Sequence, residues 1–139
     1  MNKLPLVRWG QFFLKAKNMW LFTRYGFFSV VRHATHRDQV VVRARNRQHL
    51  EDLVTFSGFL WSKDIEETPK RDYRYRMSLH RLDWDDLMEA LADDVDYTNF
   101  KEEVHSHLPN DGPFNRLVNQ VWQIVAGTLG GSYGSETIR

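Results

Sequence analysis

Residues 72–81, Asp-Tyr-Arg-Tyr-Arg-Met-Ser-Leu-His-Arg, alternate bulky apolar side chains with cationic ones at a period of two. In a strand this spacing sends Tyr73, Tyr75, Met77 and Leu79 to one face and Arg74, Arg76, Ser78 and His80 to the other. The chemistry open to such a face is anion recognition, because the guanidinium fork matches phosphate and carboxylate geometry. A second segment repeats the pattern, with Val40, Val42 and Ala44 alternating with Val41, Arg43 and Arg45. If the two segments lie in one sheet with their cationic sets on the same side, Arg43, Arg45, Arg74, Arg76 and His80 form a basic surface. That surface is the candidate site for RNA, DNA or another polyanion. His33 or Arg32 would join it from the preceding strand, and Tyr25 and Phe27 are the aromatic residues placed to stack on bases. His80, beside Arg74 and Arg76, is also the candidate general acid for a phosphorylated substrate.

Other chemistry finds less support. The chain has no cysteine, which removes disulfides, thiolate zinc sites and cysteine nucleophiles. There is no Gly-x-Ser-x-Gly elbow, phosphate-binding glycine loop or His-Glu-x-x-His motif. The pairs His33/His36 and His105/His107 lack a third ligand at suitable spacing. The acidic run 83–96 lacks the Asp-x-Asp-x-Asp-Gly pattern of a calcium loop. No metal or cofactor is therefore expected, and a non-enzymatic binding module is the leading reading.

The net charge of +1 hides a strong asymmetry. Residues 1–50 carry ten Lys and Arg against Asp38 alone, whereas residues 82–103 carry nine acids against Lys101 alone. Asp72, Glu66 and Glu67 on neighbouring strands, or the acidic helix expected over 83–96, compete for the sheet arginines: if they neutralise them, the basic face is structural. The same helix, through Asp93 and Asp94, or an apolar rim at Phe56, Phe59 and Trp61, supports the alternative reading. That alternative is a protein–protein interaction module such as an adaptor, an inhibitor or a mobile-element protein.

The elements that must position these residues follow from periodicity and breakers. The 139 residues, 42% hydrophobic and 14% aromatic, suffice for one domain with a real core. Residues 1–18 are basic and acid-free without a clean amphipathic period, and read as an N-terminal extension, with one domain over 19–127 and a flexible tail over 128–139. No apolar run approaches the length of a membrane span, and a cytoplasmic location is expected. Residues 20–33 read as one long strand kinked at Gly26, and Gln39–Arg45 as a second. Asn46 should cap a short helix with Leu50, Leu53 and Val54 on its inner face. A short strand at 65–68 precedes the strand 73–81. Asp83 should cap the acidic helix, whose buried stripe is Trp84, Leu87, Met88, Leu91 and Val95. Two more helices follow around Phe100, Val104 and Leu108 and around Leu117, Val118, Val121, Trp122 and Val125, the last ending at Gly127. The fold class is α+β: a two-layer sandwich, ferredoxin-like in general architecture, with about four antiparallel strands (ββαββ, then helices) and the helices on one face.

The segments Met19-Trp-Leu-Phe-Thr, Gly26-Phe-Phe-Ser-Val-Val31, Val42-Arg-Ala-Arg45, Asp72-Tyr-Arg-Tyr-Arg76 and Asp96-Tyr-Thr-Asn-Phe-Lys101 resemble a family of short bacterial proteins of unknown function. The resemblance spans about residues 19–125. It implies no activity, but it sets residues 1–18 apart from the domain.

Overall fold

Gly26 turns what reads as one long strand into two. In a computed structural model, which describes residues 19–60 and 64–130, β1 (Met19–Thr23) and β2 (Gly26–Arg32) form an antiparallel hairpin. Arg24 and Tyr25 are its two-residue turn, and Thr23 pairs with Gly26, whose φ of 144° is open only to glycine without strain. The expected single strand over 20–33 is thereby corrected, and the sheet has five strands among the described residues. The expected extension 1–18, Trp61 and residues 131–139 lie outside the described residues.

β3 (Gln39–Ala44) continues the meander antiparallel to β2, followed by helix α1 (Arg47–Ser57). The short β4 (Glu66–Glu67) and then β5 (Tyr75–His80) complete an antiparallel sheet of order β1-β2-β3-β5-β4. Only the general outline is ferredoxin-like, because the first three strands run consecutively with no helix between them. Helices α2 (Arg81–Asp93), α3 (Phe100–His107) and α4 (Gly112–Leu129) follow. The architecture is α+β, with helices layered on an antiparallel sheet.

Alternation divides the sheet as expected over β3 and β5, except that Val41, expected on the open face with Arg43, is buried. Val40, Val42, Ala44, Met77 and Leu79 are all buried, in a core closed by Leu50 and Leu53 of α1 and Trp84 and Leu87 of α2. A second, smaller cluster forms where α3 and α4 pack their Val104, Phe114 and Val118 against Phe22 and Phe27 of the hairpin. Phe22 and Phe27 are cross-strand partners with ring centroids 4.7 Å apart.

Helix ends differ from expectation where polar side chains compete for the cap. Asn46 caps α1, its Oδ1 accepting from Gln48 N at 2.9 Å, as expected. Helix α2 starts earlier than expected: His80, not Asp83, is its cap, with Nδ1 accepting from Leu82 N at 3.1 Å. Asp111 caps α4, which runs through Gly127 to Leu129, so residues 128 and 129 belong to the helix and not to a tail.

One buried clamp joins three elements that are far apart in sequence. His49 of α1 accepts at Nδ1 from Phe27 N (3.3 Å), which leaves Nε2–H to donate to Asp111 Oδ2 at 2.7 Å. Asp111 Oδ1 accepts from Phe114 N, so the same carboxylate holds the ring and starts α4. Both nitrogens of His49 are engaged, and its side chain is 8% exposed. Its role is to lock α1, β2 and α4 together.

Candidate anion-binding site on the sheet

The register of the sheet places Arg43 directly opposite Arg76, between Ser29 of β2 and Glu66 of β4. Both arginines are half-buried. Arg43 donates from Nη2 to Ser29 Oγ at 2.7 Å, and its guanidinium lies 4.6 Å from the centre of the Tyr73 ring. Arg76 donates from Nη2 to the Tyr73 carbonyl at 3.4 Å. Among the described residues neither guanidinium is ion-paired to a carboxylate, and the Nε of each is buried without a hydrogen-bond partner. Burial pulls Arg76 below the ordinary arginine value; the like charges of Arg71 and Arg43 add to this and Glu66 opposes it. Two like charges facing one another across strands are unfavourable. A buried donor left unpaired costs about 1–3 kcal/mol.

The other expected members are arranged differently. Arg45 pairs with Asp72 at 2.8 Å, donates to the Asp72 carbonyl and lies 4.6 Å from the Tyr73 ring centre. Arg74 turns to the sheet edge, where it pairs with Glu67 of β4 at 2.7 Å. Both pairs are exposed, so each contributes little to stability and can open to another anion. His80 sits at the far end of β5, about 13 Å along the strand from Arg76 by the strand rise. There it caps α2 and lies 3.5 Å from Asp38, so it is not part of the arginine cluster. Arg32 pairs with Val40 and so falls on the face of Val40 and Leu79, opposite to Arg43, and His33 Nδ1 accepts from the Thr35 and His36 main-chain N–H groups.

Two aromatic placements also change. Tyr73 is buried as expected, but on the arginine side, against Phe27 and under Arg43 and Arg45. Regular pairing in β5 begins only at Tyr75, and the bend before it breaks the alternation. Tyr25 is not available for stacking on a base, because its ring stacks on Phe56 and its hydroxyl donates to Asp94 Oδ2 at 2.9 Å.

The acidic helix does not reach the arginine face. Helix α2 packs through Trp84 and Leu87 on the opposite side of the sheet, and the acids at its end meet Arg24 of the hairpin turn instead. Arg24 donates from Nε and Nη2 to the Asp94 carboxylate (3.0 and 2.7 Å) and from Nη2 to the Asp94 carbonyl. Its Nη1 reaches Glu103 of α3 at 2.7 Å and Asp96 at 3.1 Å. Hydrogen bonds to Asp94 and Glu103 raise Arg24 further above the usual arginine value, against the opposing effect of burial. Of the two acids expected to meet a partner, Asp94 is therefore engaged inside the fold, and Asp93 is exposed.

Burial first, and the hydrogen bond to Asp94 second, raise the Tyr25 hydroxyl above the ordinary tyrosine value, and burial raises Tyr97 likewise. A group whose folded pKa is raised holds its proton more tightly folded than unfolded. Its contribution to stability is complete below about pH 10, the unfolded value, and is lost as pH climbs through the folded one. Urea midpoints should fall as pH rises above about 10. Tyr25→Phe should flatten part of that fall, Tyr97 supplying the remainder; an alkaline slope unchanged by Tyr25→Phe would refute the assignment.

No sequence signal marks Ser29 or Tyr73 as partners of Arg43, since cross-strand neighbours depend on register. Among the described residues no group of three metal-ligating side chains occurs, and no helix is long and apolar enough to cross a membrane. Comparison with protein-family profiles, curated proteins and solved structures finds no significant match to this chain. Side-chain geometry therefore carries the functional reading.

Proposed function

We propose that the protein is a small non-enzymatic binding module that holds a polyanion, nucleic acid or another phosphate- or sulfate-bearing chain, against the Arg43–Arg76 face of its sheet. The observation that carries this reading is the pair itself: two half-buried guanidiniums opposite one another, unpaired by carboxylates, each with a buried donor unused. A bound anion supplies the missing counter-charge. Tyr73 and Ser29 hold Arg43 in place beforehand, which lowers the ordering cost of binding. Arg45 and Arg74 extend the surface by exchanging their exposed carboxylate partners for the ligand.

Titration of labelled single-stranded RNA, single-stranded DNA and heparin at several salt concentrations tests the reading. Affinity should fall with salt. The double variant Arg43→Ala plus Arg76→Ala should weaken binding at low salt by about tenfold or more and reduce the salt slope by about 1.5–2. The same variant should unfold at an equal or higher urea concentration than the parent, because it removes a like-charge contact and two unsatisfied donors. Absence of binding at low salt, or binding indifferent to the double substitution, would sink the reading.

A second reading, docking of a protein partner, draws its support from α4 more than from the acidic helix. Ile124, Val125 and Leu129 are 65%, 47% and 79% exposed. Phe22, Phe100, Val118 and Trp122 line a cleft of about 750 Å³ beside them. A protein that co-purifies in stoichiometric amount at high salt would move the assignment to that surface.

A further inference from the structure

The cross-strand row that contains the arginine pair ends, at the β1 edge, in Trp20. Register runs Trp20–Ser29–Arg43–Arg76–Glu66 across all five strands, so these side chains share a face. Trp20 is 61% exposed, and an edge contact with Phe27 (centroids 6.0 Å apart, interplanar angle 74°) steadies the indole while leaving most of it open. Between tryptophan and arginine lies only Ser29, fully buried, its hydroxyl accepting from Arg43. The indole and the Arg43 guanidinium therefore stand at the two ends of a two-strand span on one face of the sheet. Strand spacing makes it about 10 Å wide.

A single exposed tryptophan needs no explanation by itself. Its alignment with two arginines that no described carboxylate ion-pairs narrows what could lie on the face. A sulfated polysaccharide offers the indole only the C–H face of a sugar ring, and an acidic peptide offers a π-face only where an aromatic residue falls in step with its acids. A duplex offers phosphates but hides its base faces. An unpaired nucleotide chain offers both a phosphate and a free π-face within such a span, and stacking on an aromatic ring is the usual sequence-tolerant contact of single strands. We propose that Trp20 is a stacking platform for an unpaired base and that the polyanion of this site is a single-stranded nucleic acid. The inference rests on the polyanion reading above and adds the class of ligand to it.

The test compares the full chain with Trp20→Leu and Trp20→Phe by fluorescence anisotropy. Its ligands are labelled single-stranded RNA and DNA, the same sequences as blunt duplexes, and heparin as a base-free polyanion. Trp20→Leu should weaken single-strand binding about tenfold, Trp20→Phe should keep most of it, and heparin affinity should be the same for all three proteins. Duplexes should bind the parent more weakly than single strands. If Trp20→Leu binds single strands as the parent does, or loses heparin equally, the inference is overturned. It is also overturned if the parent prefers heparin or duplex. In those cases an effect of Arg43→Ala plus Arg76→Ala leaves the polyanion reading standing. A parent that binds none of these ligands removes both.

Discussion

Gly26→Ala should destabilise the protein by about 3–5 kcal/mol, combining backbone strain with overpacking of a buried site. Two independent faults meet at this position. The φ of 144° lies where a side chain strains the backbone. A Cβ built there would also fall 2.2 Å from His49 Cγ and 2.6 Å from His49 Cβ. The ring cannot swing aside freely, because Asp111 and the Phe27 N–H hold both of its nitrogens. Relief of the clash must therefore loosen the contacts of α1 with β2 and α4 together. Gly58 provides the control: it too has positive φ (72°), but a Cβ there meets nothing within 4 Å. Gly58→Ala should cost only the left-handed conformation, about 1–2 kcal/mol. Urea denaturation of both variants, and of Gly26→Ala combined with His49→Ala, separates strain from collision. The double variant should lose less than the sum of the singles. Strict additivity, or equal losses at Gly26 and Gly58, would show that the close approach to His49 carries no energy.

That glycine also explains where the sequence was hard to read. Its position in an apolar run suggested a kink, yet Arg-Tyr before it is not the Asn-Gly or Asp-Gly signal of a two-residue turn, so the hairpin was not legible. The strands Gln39–Ala44 and Tyr75–His80 were legible because one buried face imposes a period of two on each. Legibility stopped where that face stopped. At Tyr73 the chain bends before pairing begins, and the ring crosses to the arginine side. The arginines themselves could be named from composition and alternation, but their partners could not. Arg43 and Arg76 are neighbours through register alone, as Arg45 is Asp72's neighbour through the turn, and a single sequence does not print register. Trp20 is illegible for the same reason: twenty-three residues before Arg43, it joins the row only through Ser29. His49 and Asp111, sixty-two positions apart, had no local signal at all.

Arg24→Met should destabilise by about 2–4 kcal/mol, below the full figure for a buried ion pair because Asp96 leaves one side of the network open to water. Arg24 is 14% exposed and is the common cation of Asp94, Asp96 and Glu103, with Tyr25 donating to the same Asp94 carboxylate. Methionine keeps much of the stem's packing but leaves three carboxylates facing one another without a cation. The network joins the hairpin turn to the end of α2 and the start of α3, so its loss should also weaken the attachment of the α3–α4 pair. Arg24→Lys should recover only part of the loss, since an ammonium cannot reproduce the two parallel bonds to Asp94. Arg24→Met combined with Asp94→Asn should cost less than the two singles added, because the second change removes one of the uncompensated charges. Urea midpoints for the four proteins give the coupling energy directly. A loss below about 0.5 kcal/mol for Arg24→Met would place the network among ordinary surface pairs. The binding reading depends on the same geometry: Asp94, Asp96 and Glu103 are held by Arg24, away from the arginine face. Arg24→Met should accordingly leave the salt dependence of polyanion binding intact at temperatures where the variant is folded, whereas substitution of Arg43 and Arg76 should change it.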